Sequence, residues 1–231
     1  MNITILHLVE GAKNARGLTV VIDVFRAFSL AAYAFGAGVK KIIPVSQVET
    51  ALKIKNEHPE YILVGERDEK MVPGFDYGNS PSHILKANLR DKVMVHTTSA
   101  GTQGIVNAKD ADEVITGAFV NASAIVEYIR KKNPENLSLV CMGYAARHPI
   151  EEDTFCAEYI RNELQGKKSD FNGYVDIIRQ TSGKRFFDKK KQSFSPSSDF
   201  DLCLNLNQFD FVLKANKTKT FGIHLQKIEL K

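Results

Sequence analysis

Carboxylates, arginines and hydroxyls in this 231-residue sequence gather at one kind of position, the end of a short apolar run. Asp23-Val24-Phe25-Arg26 follows "LTVVI", Gly65-Glu66-Arg67 closes "YILV", and Thr97-Thr98-Ser99-Ala100-Gly101-Thr102 closes "KVMVH". Gly117 and Asn121 follow "EVIT", and Cys141-Met142-Gly143 follows "LSLV". Asp23, Glu66, Asp76 and the trio Glu151-Glu152-Asp153 are oxygen ligands suited to a hard cation, and Mg²⁺ is typically held by one or two carboxylates plus substrate phosphate oxygens. Asp23 ends an otherwise apolar run, where a bare carboxylate is costly unless paired or metal-bound. For Glu151-Glu152-Asp153 a plainer reading is a first helical turn favoured by the macrodipole. Arg26 and Arg67 offer guanidinium forks matched to phosphate and sulfonate oxygens. "TTSAGTQG", from Thr97 to Gly104, has the make-up of an anion cradle, with small residues that admit backbone N–H groups, several hydroxyls and a following helix N-terminus. The same residues also suit a capping turn. Their spacing is not GxxxxGK[ST], so a nucleotide is not implied.

Chemistry of this kind needs a scaffold that brings distant segments together. Continuous β-branched runs read as strands buried on both faces: Leu18 to Phe25, Lys41 to Val45, Tyr61 to Glu66, Lys92 to Thr97, Glu113 to Phe119 and Leu137 to Met142. Helix-patterned stretches alternate with them, with Ser46, Ser80 and Asn121 as N-caps and Gly36 or Gly38 ending the first helix. Such alternation predicts an α/β fold, a three-layer α/β/α sandwich with a mainly parallel or mixed sheet. In open α/β sheets the ligand crevice lies outside the carboxyl ends of the strands. The loop "VPGFDYGNSPSH", carrying Asp76, Asn79, Ser80 and His83, hangs off the third of those ends and is expected to wall the crevice. After Gly166 the rhythm changes, and apolar stretches at Phe209 to Leu213 and Phe221 to Ile228 read as an added antiparallel edge. The whole of 1–231 is read as one domain, with a core to about residue 166 and a variant C-terminal segment.

With 43% hydrophobic and 25% charged residues, no apolar run of membrane-spanning length and no basic-then-apolar leader, the expected setting is cytoplasmic, without membrane contact. The net charge of +4 owes much to "GKRFFDKKKQ", Gly183 to Gln192, read as a solvated face, because no aromatic platform marks a nucleic-acid patch. Cys141, Cys156 and Cys203 lie far apart with no CxxC, which argues against a disulfide scaffold or a thiolate zinc site. His83, His96 and His148 share no metal-binding spacing, and His96 reads as half-buried and structural.

"VVIDVFRAFS", "GERDEKMVPGFDYGNSP", "TTSAGTQG", "GAFVNASA" and "LVCMGYA" with "EEDTFCAEYI" together resemble the 2-phosphosulfolactate phosphatase (ComB-like) family. The match is collinear from about Leu18 to Leu164, and "SSDFDLCLNLNQFDFV" is similar to the family's closing segment. The resemblance implies an α/β fold, a homo-oligomer such as a dimer, and a Mg²⁺-dependent phosphatase that releases phosphate from 2-phospho-3-sulfolactate in coenzyme M biosynthesis. It directs attention to Asp23, Arg26, Glu66, Arg67 and Asp76 for catalysis, and to Asn79, Ser80, Thr97, Thr98, Ser99, Gly101 and Thr102 for the phosphate. Asp23, Glu66, Glu152 and Asp153 are the implied metal ligands. Two positions depart from the family pattern: Phe28 stands where a hydroxyl residue is usual, and Ser99-Ala100-Gly101-Thr102 replaces Thr-Asn-Gly-Thr.

Three readings follow. The first is a phosphoric monoester hydrolase acting on a small anionic substrate, with Asp23 as a metal ligand or the attacking carboxylate. The second makes Cys141 the nucleophile of a cysteine-dependent α/β hydrolase. The third is a non-catalytic anion-binding module.

Overall fold

The computed structural model describes residues 1–218 and 222–230. The chain opens with β1 (Asn2–His7) and α1 (Leu8–Asn14), neither marked by a clear sequence pattern. The apolar "LTVVI" then forms β2 (Leu18–Ile22), whose five residues are all buried because the strand lies between two parallel neighbours. Helix α2 (Ala27–Gly36) is buried from Ala27 to Phe35, so its sequence shows no polar face. β3 (Lys41–Pro44), α3 (Val48–Glu57), β4 (Ile62–Arg67) and the two-residue β5 (Lys70–Met71) follow. After them come α4 (Pro81–Ile84), β6 (Val93–Thr97), α5 (Gly101–Asn107), β7 (Glu113–Gly117), α6 (Ala122–Lys132) and β8 (Asn136–Cys141). The remainder is α7 (Glu151–Leu164), α8 (Phe171–Gln180), 3₁₀ turns at Ser182–Phe187 and Lys189–Lys191, α9 (Ser197–Cys203), β9 (Phe211–Thr218) and β10 (Gly222–Glu229).

The strands form one mixed sheet in the order β1-β8-β2-β7-β9-β10-β3-β6-β4-β5. β1, β8, β2 and β7 run parallel, as do β3, β6 and β4. Helices α1 and α5 pack together over β8 and β2, and α6 and α7 pack together over β9, β8 and β2. This is the expected α/β sandwich, with one correction. The C-terminal antiparallel pair does not add an edge: β9 and β10 sit in the middle and join the two parallel halves. Phe211, Val212 and Leu213 are buried there, an apolar run suited to a central strand, and they cover the otherwise open edge of β7. Phe221, the expected start of the second stretch, lies outside the described residues.

Val72 and Phe75 of the Gly/Pro-rich loop enter a small second core with Ile43, Ile54, Leu63 and Val95. The loop is therefore pinned by its own apolar residues. The C-terminal segment is pinned as well. Phe186 and Phe200 pack on Phe25 with ring centroids 4.8 and 5.8 Å away. Arg26 makes a buried ion pair with Asp199 at 2.7 Å, and the same carboxylate accepts from Ser80 Oγ at 3.0 Å and the Ser82 N–H at 2.9 Å. One aspartate thus ties α9 to the end of β2 and to the start of α4. Removing its charge strands a buried guanidinium, so Asp199→Asn is expected to cost about 3 kcal/mol in guanidinium-chloride unfolding. An unchanged midpoint would show that the tie carries no net stability.

Candidate active site

Asp23 follows β2 where the chain turns into α2. Its Oδ1 accepts from the Ala27 N–H at 3.1 Å, and its other oxygen faces Gly101 at the head of α5. A Cβ on Gly101 would meet Asp23 Oδ2 and Ala27 Cβ, each at 2.8 Å, so glycine is needed for α5 to approach this closely. Burial raises the Asp23 carboxyl to about 6, the Glu66 charge adds to the rise, and the Ala27 amide and Arg185 oppose it.

Glu66 ends β4 and is held by three donors: Ser99 N at 2.7 Å and Ser99 Oγ at 3.2 Å, with Glu69 N at 3.0 Å. Thr98 and Thr102 cap one another through reciprocal backbone-to-hydroxyl bonds of 3.2 Å. The "TTSAGTQG" loop therefore spends the amides of Thr98 and Thr102 on its own hydroxyls and those of Ser99 and Gly101 on Glu66 and Asp23, and it holds carboxylates of the protein itself.

Glu152 and Asp153 lie in the first turn of α7 and are fully buried. Asp153 accepts from Val24 N and Gly143 N, both at 2.8 Å. Gly143 adopts φ 68°, and a side chain there would run into the His148 carbonyl. Burial, with Asp23 and Glu152 adding to it, pushes the Asp153 carboxyl well above its usual range. Neither oxygen of Glu152 has a hydrogen-bond partner. Burial lifts this carboxyl to about 7, Asp23 adds to the rise, and the more distant Arg185 and Ser182 pull it down. The macrodipole reading fits the partly exposed Glu151 better than these two.

The other sequence candidates separate. Arg26 and Asn79 line the crevice, although the Arg26 head is committed to Asp199 and to the Phe194 carbonyl at 2.7 Å. Arg67 bonds the Glu66 and Ser46 carbonyls and Thr97 Oγ1, bracing the loop from its side. Ser80 caps α4 and binds Asp199. Asp76 lies apart, folded back along β4 onto the Leu63 N–H at 2.8 Å and Lys55 at 3.3 Å. His96 is fully buried rather than half-buried. Burial drops it to about 4, and its Nε2 lies 3.2 Å from Asn79 Oδ1. Cys141 is buried, points at the Asp153 carbonyl at 3.4 Å, and is held well above its ordinary value by burial and the Asp153 charge. A thiol so placed does not ionise readily.

The basic run supplies residues that sequence reading assigned to solvent. Lys189 and Lys190 are exposed, but Arg185 turns inward, donates to the Phe25 carbonyl at 3.2 Å and acts on both Asp23 and Glu152. Glu69, Tyr144 and Lys191 complete the rim. The aromatic spacing in "KRFF" was the available signal, since two adjacent phenylalanines in a solvated face are out of place. The crevice is bounded by Phe25, Arg26, Glu66, Glu69, Ser99 and Arg185 and encloses a void of about 40 Å³. A cavity of about 610 Å³ between the end of α5 and the β9–β10 hairpin is larger, but buried Asp23, Glu152 and Asp153 line neither of the two voids, and Glu66, Glu69 and Arg185 line only the smaller one.

Buried oxygens without partners are what a cation would satisfy, and Glu152 beside Asp23 provides them. Among the described residues no three His, Cys, Asp or Glu side chains converge on one point. A cation would thus take few ligands from the protein and the rest from water and substrate, which suits Mg²⁺. No helix among the described residues is long and apolar enough to cross a membrane.

Carboxylates with perturbed acidities, an inward arginine and a shaped crevice at the strand ends of a mixed sheet define an α/β enzyme. The chain belongs to the 2-phosphosulpholactate phosphatase family, whose model matches residues 4–218. It is 30% identical over 205 residues, 87% of each chain, to a Bacillus subtilis protein named "Probable 2-phosphosulfolactate phosphatase". Proteins of the same name from Caldanaerobacter subterraneus and Thermotoga petrophila are 32% and 41% identical, covering 84% and 70% of this chain and 86% and 71% of their own.

Two measurements test the site. With its carboxyl raised from 4.5 to about 7, Glu152 favours the folded state fully below about pH 4.5 and loses that contribution as pH rises through 7. In chelator, wild type should therefore melt at progressively lower temperature than Glu152→Gln between about pH 5 and 8; parallel curves would place the charge elsewhere. Cys141→Ala should keep most activity, and its loss in a folded variant would restore the thiol reading.

Proposed function

We propose that this protein hydrolyses 2-phospho-3-sulfolactate, or a closely similar small phosphate monoester carrying further anionic groups, to the alcohol and phosphate, with Mg²⁺ as cofactor. The observation that carries the reading is the buried Asp23–Glu152 pair, raised by burial and faced by Arg185, in a chain of this family. Its relatives' names supply the substrate.

Asp23 and Glu152 would hold the cation. Bound there, it would offset their charge and polarise the phosphoryl oxygens. Asp153 positions the turn after β2 and the Gly143 loop by taking one amide from each. Glu66, clamped by Ser99, keeps the α5 loop against the crevice. Arg185 draws an anionic ester inward and stabilises charge that spreads over the phosphoryl oxygens during P–O cleavage. The Phe25, Phe186 and Phe200 rings exclude water behind it, which strengthens each of these interactions.

The test is phosphate release from 2-phospho-3-sulfolactate and from sulfonate-free phosphate esters, with Mg²⁺ and with chelator. Release should depend on Mg²⁺, and Asp23→Asn should lower it by roughly a thousandfold, the scale of losing a preorganised transition-state charge. Near-wild-type turnover in that variant would remove Asp23 from the centre of the reaction.

A further inference from the structure

The crevice as built is too small for the substrate proposed above. A void of about 40 Å³ does not admit a phosphoester with further anionic groups, since small-molecule sites usually span at least roughly 300 Å³. Something that now fills the crevice must leave, and one side chain there already behaves as a bound anion. Glu69 Oε2 lies 3.2 Å from Lys191 Nζ and accepts from Ser195 Oγ at 3.3 Å; its Oε1 accepts from the Tyr144 hydroxyl at 3.2 Å. Arg185 Nη1 stands 3.9 Å from Oε1. The carboxylate is one-tenth exposed. Burial alone would raise its pKa, but Arg185 and Lys191 override burial and hold it below its ordinary value. Two cations and two hydroxyls around a single carboxylate form a cradle that a sulfonate or carboxylate of a ligand would fit equally well.

The element that delivers Glu69 is also easy to move. Asp68 and Glu69 both adopt left-handed backbone, φ 52° and 69°, in a turn without glycine. The ribbon behind them has only two residue pairs, Glu66 with Met71 and Arg67 with Lys70, and both residues of β5 are exposed. Among the described residues, the backbone of the turn itself is tied only by the Glu69 N–H to Glu66 Oε2 at 3.0 Å and by a long 3.5 Å bond from Arg26 Nη2 to the Glu69 carbonyl. Two of the cradle's other members are better anchored, whereas Tyr144 and Lys191 are over a third exposed and make their side-chain hydrogen bonds to Glu69. Arg185 is tied to the Phe25 carbonyl and stacked against Phe186, and Ser195 is buried.

We propose that Glu69 is a displaceable internal anion: it occupies the Arg185–Lys191–Tyr144–Ser195 cradle in the free protein and yields it to the second anionic group of the substrate. This rests on the phosphatase reading for its substrate, but not for its mechanism. Glu69 sets affinity by competition, because a ligand must first pay for its release, and it excludes esters that carry phosphate alone. No bond is made or broken in the exchange, and one ion-paired anion replaces another.

Sulfoacetate, which carries a sulfonate and a carboxylate but no phosphoester, probes the cradle without turnover. By isothermal titration, Glu69→Gln should bind it about tenfold more tightly than wild type, and Arg185→Met should bind it at least tenfold more weakly. In wild type, hydrogen exchange of the amides from 67 to 71 should quicken when sulfoacetate binds, a readout that needs no variant to fold. Equal or weaker binding by folded Glu69→Gln, exchange at 67–71 unchanged or slowed by bound sulfoacetate, or no sulfoacetate binding by either protein would each overturn the proposal. Failure of phosphate release alone would instead strike the proposed reaction, since none of these arms measures turnover.

Discussion

Placing several carboxylates within one another's field, out of water, is the constraint from which the architecture around the crevice follows. Asp23, Glu152 and Asp153 are all buried, and burial raises each of them; the Glu66 charge adds to the rise at Asp23, Asp23 adds to it at Glu152, and Asp23 and Glu152 both add to it at Asp153. Such a cluster persists only if donors are built in, and here they come from distant parts of the chain. The Ala27 amide faces Asp23, the Val24 and Gly143 amides face Asp153, and the Ser99 amide and hydroxyl face Glu66. Glycines at 101 and 143 make two of these approaches possible, one by lacking a side chain and one by accepting a left-handed backbone as well. Glu152 alone is left without a donor, which marks it as the position where a cation would have most effect.

The same constraint explains why the C-terminal segment is folded over the strand ends. Charge gathered by β2, β4 and α7 needs a countercharge that those elements do not supply. Arg26 is consumed by Asp199, and Arg67 by backbone carbonyls. Arg185 fills the deficit from a 3₁₀ turn held by Phe25, Phe186 and Phe200 packing, while β9 and β10 tie the two halves of the sheet beneath. Stability and chemistry meet at one place, because the aromatic cluster that anchors the segment also delivers its guanidinium.

Much of this was legible in the sequence. Buried parallel strands announce themselves as unbroken apolar runs, since both faces of "LTVVI" and "LSLV" must be covered, and the alternation with helices fixes an α/β sandwich. Polar residues at the ends of such runs mark the crevice side, which is how Asp23, Glu66, Ser99 and Gly101 stood out. The adjacent pair Glu152-Asp153 was visible only as acids at a helix start, a pattern that partly exposed Glu151 shares.

What the sequence determined by itself is therefore local: strand and helix identity, the crevice end of the sheet, and the residue types available there. Burial, pairing and direction are tertiary quantities, and the tertiary structure decided them. It sent Asp76 back along β4 to Leu63 and Lys55, away from the other acids, because a hydrogen bond to the strand backbone was within its reach. It put β9–β10 at the centre of the sheet, where the edge of β7 was unpaired. It split one basic run into exposed Lys189 and Lys190 and inward Arg185 and Lys191, since aromatic packing on one side and Glu69 on the other outweighed solvation. A charge's partner depends on which distant segment folds against it, and no local pattern encodes that.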